Sequence, residues 1–205
     1  MGAKWKRDPY EPTVYGIGFH GEGEYKPSYK GVHTPASRVW KNMLRRCYCE
    51  KYYSSKKTYE GATVCEEWHN YQNFAKWYEE NCYQIDGDEI HLDKDILVKG
   101  NKVYSPETCV FVPEPINSLF TKRQGRRGDL PIGVHLCPKG KKYIAQCGSN
   151  GRRVYLGRYD TPEEAFQRYK EFKEQEVKRV AEHYKDLIPQ KLYEALQNYE
   201  VDYDD

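Results

Sequence analysis

Apolar residues recur at helical spacing in two stretches of the N-terminal half, residues 36–48 and 66–81. An α-helix with such a stripe turns one face toward a core and leaves the other in solvent. The sequence therefore predicts two amphipathic helices. Their stripes consist of Trp40, Met43, Leu44 and Cys47 in the first helix and of Trp68, Tyr71, Phe74, Ala75 and Tyr78 in the second.

The remainder of the N-terminal half lacks this period. Residues 1–35 are rich in Gly, Pro and Tyr, which predicts an irregular arm. Residues 89–98 and 108–112 are predicted strands, and Pro113 precedes a short helix that carries Asn117. The order of this section is thus strand, loop, strand, helix.

Three further short strands and a well-marked helix are predicted in the C-terminal half. Asn150 and Gly151 favour a hairpin turn because both tolerate positive φ. Thr161 can cap the helix, Pro162 suits its first position, and Glu164 completes a capping box. The strands cover residues 132–137, 142–147 and 152–156, the helix runs to Pro189, and a final helix follows.

Alternation along these strands separates an apolar face, which the helix would cover, from a polar face. Arg can form two hydrogen bonds with guanine, and Gln can do so with adenine. An ordinary half-exposed sheet would show similar alternation, but two consecutive arginines after a tight turn favour an interface with DNA. The predicted apolar face is Val134, Leu136, Ile144 and Val154, and the predicted polar face is His135, Gln146, Arg153 and Tyr155.

These elements predict the α+β class. The N-terminal part is expected to be helical with a ββα motif, and the C-terminal part to be a three-stranded antiparallel sheet packed on a helix, with further helices after it. The predicted divisions are an arm (1–35), a first domain (36–120), a basic linker (121–130), a second domain (131–188), and a C-terminal helix with an acidic tail (189–205).

The distribution of charge is more informative than the net charge, which is only +2. Between residues 122 and 158 the sequence has ten basic residues and a single acidic one, Asp129. A cationic block of this density is typical of surfaces that bind phosphates. We therefore predict that double-stranded DNA is the partner and that the basic contacts include Arg126, Arg127, Lys142, Arg152 and Arg153.

The seven cysteines are an odd number, and the sequence shows neither a signal peptide nor an apolar run long enough to cross a membrane. We expect reduced thiols, a cytoplasmic location and no membrane partner. No zinc is expected, because there is no Cys-x-x-Cys pair and Cys47 and Cys49 are spaced too closely for the usual knuckle.

Part of the C-terminal half resembles the Apetala-type DNA-binding domain of plant ethylene-response factors and many phage proteins. The similar segments are Leu-Pro-Ile-Gly-Val-His from residue 130, Lys-Tyr-Ile-Ala-Gln from residue 142, and Gly-Arg-Arg-Val-Tyr-Leu-Gly-Arg-Tyr-Asp-Thr-Pro-Glu-Glu-Ala from residue 151. That family lays a three-stranded sheet into the major groove. The resemblance implies contacts from His135, Cys137, Gln146, Arg153, Tyr155 and Tyr169. His135 and Cys137 stand where the plant proteins have Arg, so the base preference of those proteins is not implied here.

The N-terminal half resembles phage proteins related to HNH homing endonucleases, which often carry an Apetala-type domain behind the nuclease-like one. The similar segments are Trp-Lys-Asn-Met-Leu-Arg-Arg-Cys-Tyr from residue 40, Val-Cys-Glu-Glu-Trp from residue 64, Leu-Asp-Lys-Asp from residue 92, and Tyr-Ser-Pro-Glu-Thr-Cys-Val-Phe-Val from residue 104. HNH nucleases hold one divalent ion on a ββα hairpin, where a His activates water. The first domain is therefore expected to be HNH-like.

The resemblance implies a site for Mg²⁺ or Mn²⁺ with Asp93, Asp95 and Asn117 as ligands, and with His91 or Asp93 in the catalytic role. The motif departs from the family. Asp93 stands where the catalytic His is expected, Leu92 stands where a metal-binding Asp is expected, and Thr108 replaces a structural Asn. A decayed, purely structural hairpin fits these residues equally well.

Three functions remain as hypotheses. The first is a phage-type DNA-binding protein with some sequence preference and a degenerate HNH-like module. The second is an active Mg²⁺-dependent homing endonuclease of the HNH family. The third is a phage effector that inhibits a host protein, with the acidic tail and the Tyr-rich arm as contact surfaces. A phage-encoded protein would act in the cytoplasm of the bacterial host.

Overall fold

The chain combines helices and short strands in two compact units, in agreement with the predicted α+β class. The computed structural model describes residues 8–54, 57–121, 129–138, 140–149 and 151–203. Residues up to 84 group with 92–111 in the first unit, and residues 85–91 group with those from 112 onward in the second. No helix in the described part of the chain is both long and apolar enough to cross a membrane.

The regular elements are numbered in chain order. The described residues also include three 3-10 turns, Lys57–Tyr59, Glu66–His69 and Ser118–Phe120. The helices and strands are β1 Ser28–Tyr29, β2 Val32–His33, α1 Pro35–Tyr48, α2 Glu50–Tyr53, β3 Thr63–Val64, α3 Tyr71–Asn81, β4 Ile90–Asp93, β5 Val103–Tyr104, β6 Val110–Pro113, α4 Glu114–Asn117, β7 Val134–Leu136, β8 Tyr143–Ser149, β9 Arg152–Tyr159, α5 Pro162–Tyr184 and α6 Gln190–Gln197.

In the first unit, a nearby polar side chain determines where each of the helices α1 and α3 begins. The Thr34 hydroxyl accepts a hydrogen bond from the backbone N–H of Ser37, which confirms the predicted first helix, α1. The prediction of one helix over residues 66–81 is wrong at its start. Asn70 interrupts it, because its Oδ1 accepts from the backbone N–H of Gln72 and begins α3 there.

The predicted irregular arm contains a regular hairpin. Strands β1 and β2 pair antiparallel, and Tyr29 lies opposite Val32. Lys30 and Gly31 occupy the turn with φ of 49° and 81°. Positive φ at both central residues matches the twist of a two-residue hairpin, so the turn itself specifies this pairing.

The core of the first unit is aromatic. Trp40, Trp68 and Phe74 are fully buried, and the ring of Trp68 lies 5.1 Å from that of Phe74 and 4.7 Å from that of Trp77. Trp77 in turn stacks on Phe111 at 5.3 Å. Trp40, Trp68 and Phe74 belong to the predicted stripes, and Phe111 comes from β6. The helical periodicity missed Trp77, which is buried in α3 where the predicted stripe has the half-buried Tyr78.

The second unit consists of an antiparallel sheet in the order β7-β8-β9 with α5 packed on one side. Thr161 and Glu164 form the predicted capping box at the start of α5. Val201, in the chain end after α6, is buried in the same core, where its carbonyl accepts from Lys170 Nζ at 2.8 Å. The core residues are Val134, Ala145, Cys147, Ala165, Phe166, Tyr169 and Val201.

The boundary between the units differs from the predicted linker at residues 121–130. The buried amine of Lys173 donates to the carbonyl of Leu119 at 2.6 Å, which ties the segment before the linker to α5. Residues 112–120 therefore belong to the second unit. Residues 122–128 of the predicted linker lie outside the described residues.

Candidate nucleic-acid interface

The side of the β7-β8-β9 sheet that faces away from α5 presents a set of polar and basic side chains. Backbone register assigns each residue to a side, because directly opposed residues in neighbouring strands point the same way. His135 pairs with Ile144 and Ile144 with Arg158, while Gln146 pairs with Tyr155. We call the following residues the outer face: His135, Ile144, Gln146, Arg153, Tyr155 and Arg158.

A β-bulge determines the composition of this face. Ala145 pairs with Gly157 but Gln146 pairs with Tyr155, so Leu156 is an extra residue in β9. One extra residue reverses the alternation beyond it. Arg158 therefore shares the outer face with Tyr155, whereas strict alternation would turn it toward α5.

The outer face is accessible and cationic. Tyr155 is 58% exposed, and Arg153 and Arg158 are also exposed. Neither arginine forms an ion pair with a described residue. The six positions include no carboxylate, so the face offers hydrogen-bond donors and positive charge to a partner.

The structure confirms that His135, Gln146, Arg153 and Tyr155 share one side of the sheet. Ile144 was assigned to the covered side and is on the outer face instead, because it lies opposite His135. It is nevertheless only 8% exposed. Leu136 was also predicted to be covered by the helix, but at the end of β7 it is 49% exposed to solvent.

The remaining predicted contacts are on the helix side of the sheet, buried, ion-paired or outside the described residues. Arg152 pairs with Ser149, whose hydroxyl donates to Glu176 on α5, so Arg152 occupies a helix-side register position. Tyr169 is in the core beneath the sheet. Cys137 is buried. Lys142 is paired with Asp160 at 2.5 Å, and Arg126 and Arg127 lie outside the described residues.

The predicted polar face of the sheet did not include Arg158, although this residue belongs to the predicted cationic block. The available signal was Gly157, because an isolated glycine inside a strand often marks a bulge. Its φ of 137° is one that other residues rarely adopt. The position of the bulge would have placed Arg158 correctly.

Two of the residues proposed for a metal site lie together beside Glu114 in the second unit. His91 Nε2 is 3.0 Å from Glu114 Oε2, and the Asn117 side-chain amide donates to the same oxygen at 3.5 Å. This carboxylate therefore lies between His91 and Asn117 at the end of α4.

The other two, Asp93 and Asp95, lie at a bend in the first unit. The prediction of a strand through residue 98 is wrong, because β4 ends at Asp93. Asp93 Oδ1 accepts from the backbone N–H groups of Asp95 and Ile96 at 2.9 and 2.8 Å, which turns the chain. Asp95 pairs with the buried amine of Lys94 at 3.2 Å. Among the residues placed by the structure, no group of three or more His, Cys, Asp or Glu side chains is arranged to hold a metal ion.

The half-buried position of Asp93 predicts a dependence of stability on pH. Burial and the neighbouring charge of Asp95 raise the pKa of Asp93 from 3.8 to about 6. The folded state therefore binds this proton more tightly than the unfolded state, and stability falls as pH rises from about 4 to 6. We expect Asp93→Asn to remove this loss and to stabilise the first unit at neutral pH by roughly 1 to 3 kcal/mol.

The measurement is urea unfolding between pH 4 and 7, followed by tryptophan fluorescence. Trp40, Trp68 and Trp77 are buried in the first unit, so their fluorescence reports on it. Glu80→Gln, which removes the same charge at an exposed carboxylate of the first unit, serves as the control and should leave the pH profile unchanged. Identical profiles for wild type and Asp93→Asn would contradict the prediction.

All seven cysteines are free thiols, and Cys47, Cys109, Cys137 and Cys147 are buried. Burial raises the pKa of Cys47 and Cys109 to about 12, so these two thiols are protonated and inert at neutral pH. They fill core positions and offer no reactive sulfur.

No family model, no curated protein and no solved structure matches the chain.

Proposed function

We propose that this protein binds double-stranded DNA and that the outer face enters the major groove. The observation that carries the proposal is the convergence of Arg153, Tyr155 and Arg158 on one accessible side of a three-stranded sheet, among positions that include no carboxylate. Strands about 4.8 Å apart make this sheet about 10 Å wide, which suits a groove about 12 Å wide.

The residue types fit base and backbone contacts. Arg153 can pair with the O6 and N7 atoms of guanine, and Gln146 can pair with adenine. The exposed ring of Tyr155 can pack on sugar or on a thymine methyl group. Since side chains of this kind discriminate between bases, we propose a phage-type binding protein with some sequence preference.

We further propose that the HNH-like segment contributes structure and not cleavage. Two backbone N–H groups donate hydrogen bonds to Asp93, and Asp95 forms an ion pair with Lys94. The carboxylate of Glu114 lies beside His91 and accepts from Asn117. Asp93, Asp95 and Asn117 thus each have a partner that explains their position without a metal ion. His91 Nε2 lies 3.0 Å from the Glu114 carboxylate but forms no hydrogen bond with a described residue. Seven free thiols agree with a reducing cytoplasm as the place of action.

The test is the affinity for a labelled duplex selected by wild-type protein from a random-sequence library. We expect Arg153→Gln to weaken binding by about 1 to 3 kcal/mol and to relax the selected sequence at one position, because a two-pronged base contact is lost. Tyr155→Ala should weaken binding as well. Fluorescence anisotropy at fixed salt measures both.

Arg168→Gln is the matched control. It removes the same charge from the same unit, but Arg168 is on α5, where it pairs with Glu171. Its affinity should stay within about twofold of wild type, since a surface pair of this kind contributes little. Equal affinities for Arg153→Gln, Tyr155→Ala and the control, with native circular dichroism, would exclude the outer face as the binding surface.

A further inference from the structure

Helix α1 of the first unit carries a row of basic residues that the outer face does not explain. Arg38, Lys41 and Arg45 are spaced by three and four residues, so they align along one side of the helix. The buried residues of α1, including Trp40, Met43 and Cys47, occupy the opposite side. We call Arg38, Lys41 and Arg45 the basic stripe.

The basic stripe has no internal counter-charge. Helix α1 contains no Asp or Glu, and none of the three side chains forms an ion pair with a described residue. Like charges at this spacing destabilise a helix by a few tenths of a kcal/mol for each pair. The stripe therefore costs stability unless an anion binds to it.

Neighbouring groups hold the stripe in place without neutralising it. Lys41 Nζ donates to His33 Nε2 at 3.2 Å, which links the stripe to the β1–β2 hairpin. The Arg45 guanidinium lies 4.8 Å from the ring centroid of Tyr52, so stacking orients it. Arg38 is exposed.

We propose that the basic stripe binds the phosphate backbone of duplex DNA as a second contact surface. The stripe extends about 10 Å along the helix, a distance over which one DNA strand presents about three phosphates. A protein partner fits less well, because the stripe offers no aromatic or aliphatic anchor and interface cores are depleted of charge. The proposal rests on the proposed function in taking DNA as the polyanion.

Phosphate contacts of this kind position a protein on DNA without reading its sequence. The stripe would therefore add affinity and salt dependence, whereas the outer face would add base preference. This division makes the two surfaces separable by experiment.

The experiment compares the full chain with the triple variant Arg38→Gln, Lys41→Gln, Arg45→Gln. Binding to the selected duplex and to an unrelated duplex is measured by anisotropy over a range of salt concentrations. We expect the slope of log K against log salt to become shallower by about 2 to 3, since each neutralised phosphate contributes about 0.9. The preference between the two duplexes should stay unchanged.

The control triple variant is Lys51→Gln, Lys76→Gln, Lys102→Gln, which removes the same charge from exposed positions of the first unit. It should keep a wild-type slope. Tryptophan fluorescence verifies folding, and the single change Arg38→Gln, expected to reduce the slope by about 1, replaces the triple variant if that variant unfolds.

Equal slopes for the stripe variant and its control would overturn the inference while leaving the outer face intact. A reduced slope in the stripe variant, with no effect of Arg153→Gln, would support the stripe and overturn the outer face. Binding of polyglutamate but not of either duplex would overturn both in favour of an acidic protein partner.

Discussion

Replacing Gly133 with alanine should destabilise the second unit by roughly 2 to 5 kcal/mol. Gly133 has φ of 77°, and a left-handed backbone costs alanine about 1 to 2 kcal/mol. A Cβ at this position would lie 2.0 Å from Tyr169 Cδ2, inside the core between sheet and helix. Overpacking of that kind costs about 1 to 3 kcal/mol more.

The same substitution should weaken DNA binding, because Gly133 helps to align the outer face. Its carbonyl accepts from the backbone N–H of Gln146 at 2.9 Å. A shift of Gly133 would therefore move β7 relative to β8 and displace His135 from Gln146. Thermal unfolding by circular dichroism and hydrogen exchange in β8 measure the loss of stability, and anisotropy measures the loss of affinity.

Gly140→Ala is the control that distinguishes the steric clash with Tyr169 from the cost of placing alanine at a positive φ. Gly140 has a similar φ of 75°, but a Cβ there would meet no atom within 4 Å. This variant should lose only the backbone contribution of about 1 to 2 kcal/mol. Equal destabilisation of the two variants would show that the contact of Gly133 with Tyr169 does not constrain the sheet.

Replacing Trp40 with alanine should destabilise the first unit by about 3 to 5 kcal/mol, the usual loss for a fully buried large aromatic residue. The ring of Trp40 lies 5.4 Å from that of Tyr71 and 5.7 Å from that of His20. Its Nε1 donates to the carbonyl of Trp68 at 2.7 Å. Truncation thus opens a cavity and also leaves a buried acceptor unsatisfied.

Urea unfolding monitored by the fluorescence of Trp68 and Trp77 measures this effect. Trp40→Phe keeps most of the ring volume and should lose only about 1 to 3 kcal/mol, mainly from the missing hydrogen bond. Tyr155→Ala, at an exposed aromatic residue, should change stability by less than about 0.5 kcal/mol. A Trp40→Ala variant as stable as Tyr155→Ala would contradict the packing described for this core.

Elements set by nearby residues could be predicted from the sequence. The start of α5 depends on Thr161, Pro162 and Glu164, which lie within one helical turn of each other. The start of α1 depends in the same way on Thr34 and Pro35. Hydrophobic spacing also identified most of the buried helix positions, because a helix repeats its faces at a constant interval. It missed Trp77 in α3.

Elements that depend on a hydrogen bond from a side chain to the backbone were harder to predict. The carboxylate of Asp93 ends β4 by accepting from two following N–H groups, although the apolar residues Ile96 and Leu97 suggested a longer strand. Asn70 divided a predicted helix by the same kind of bond. Short polar side chains compete with regular backbone pairing, and pattern alone does not show which bond prevails.

By itself the sequence determined the α+β class, the three strands before a capped helix, and the basic character of the C-terminal sheet. Its alternation placed His135, Gln146, Arg153 and Tyr155 on one side correctly. Only the tertiary structure decided that Ile144 and Arg158 join them and that Tyr169 lies beneath the sheet. The reason is that strand register and the bulge at Leu156 arise from pairing between distant residues, and one extra residue reverses every side chain beyond it.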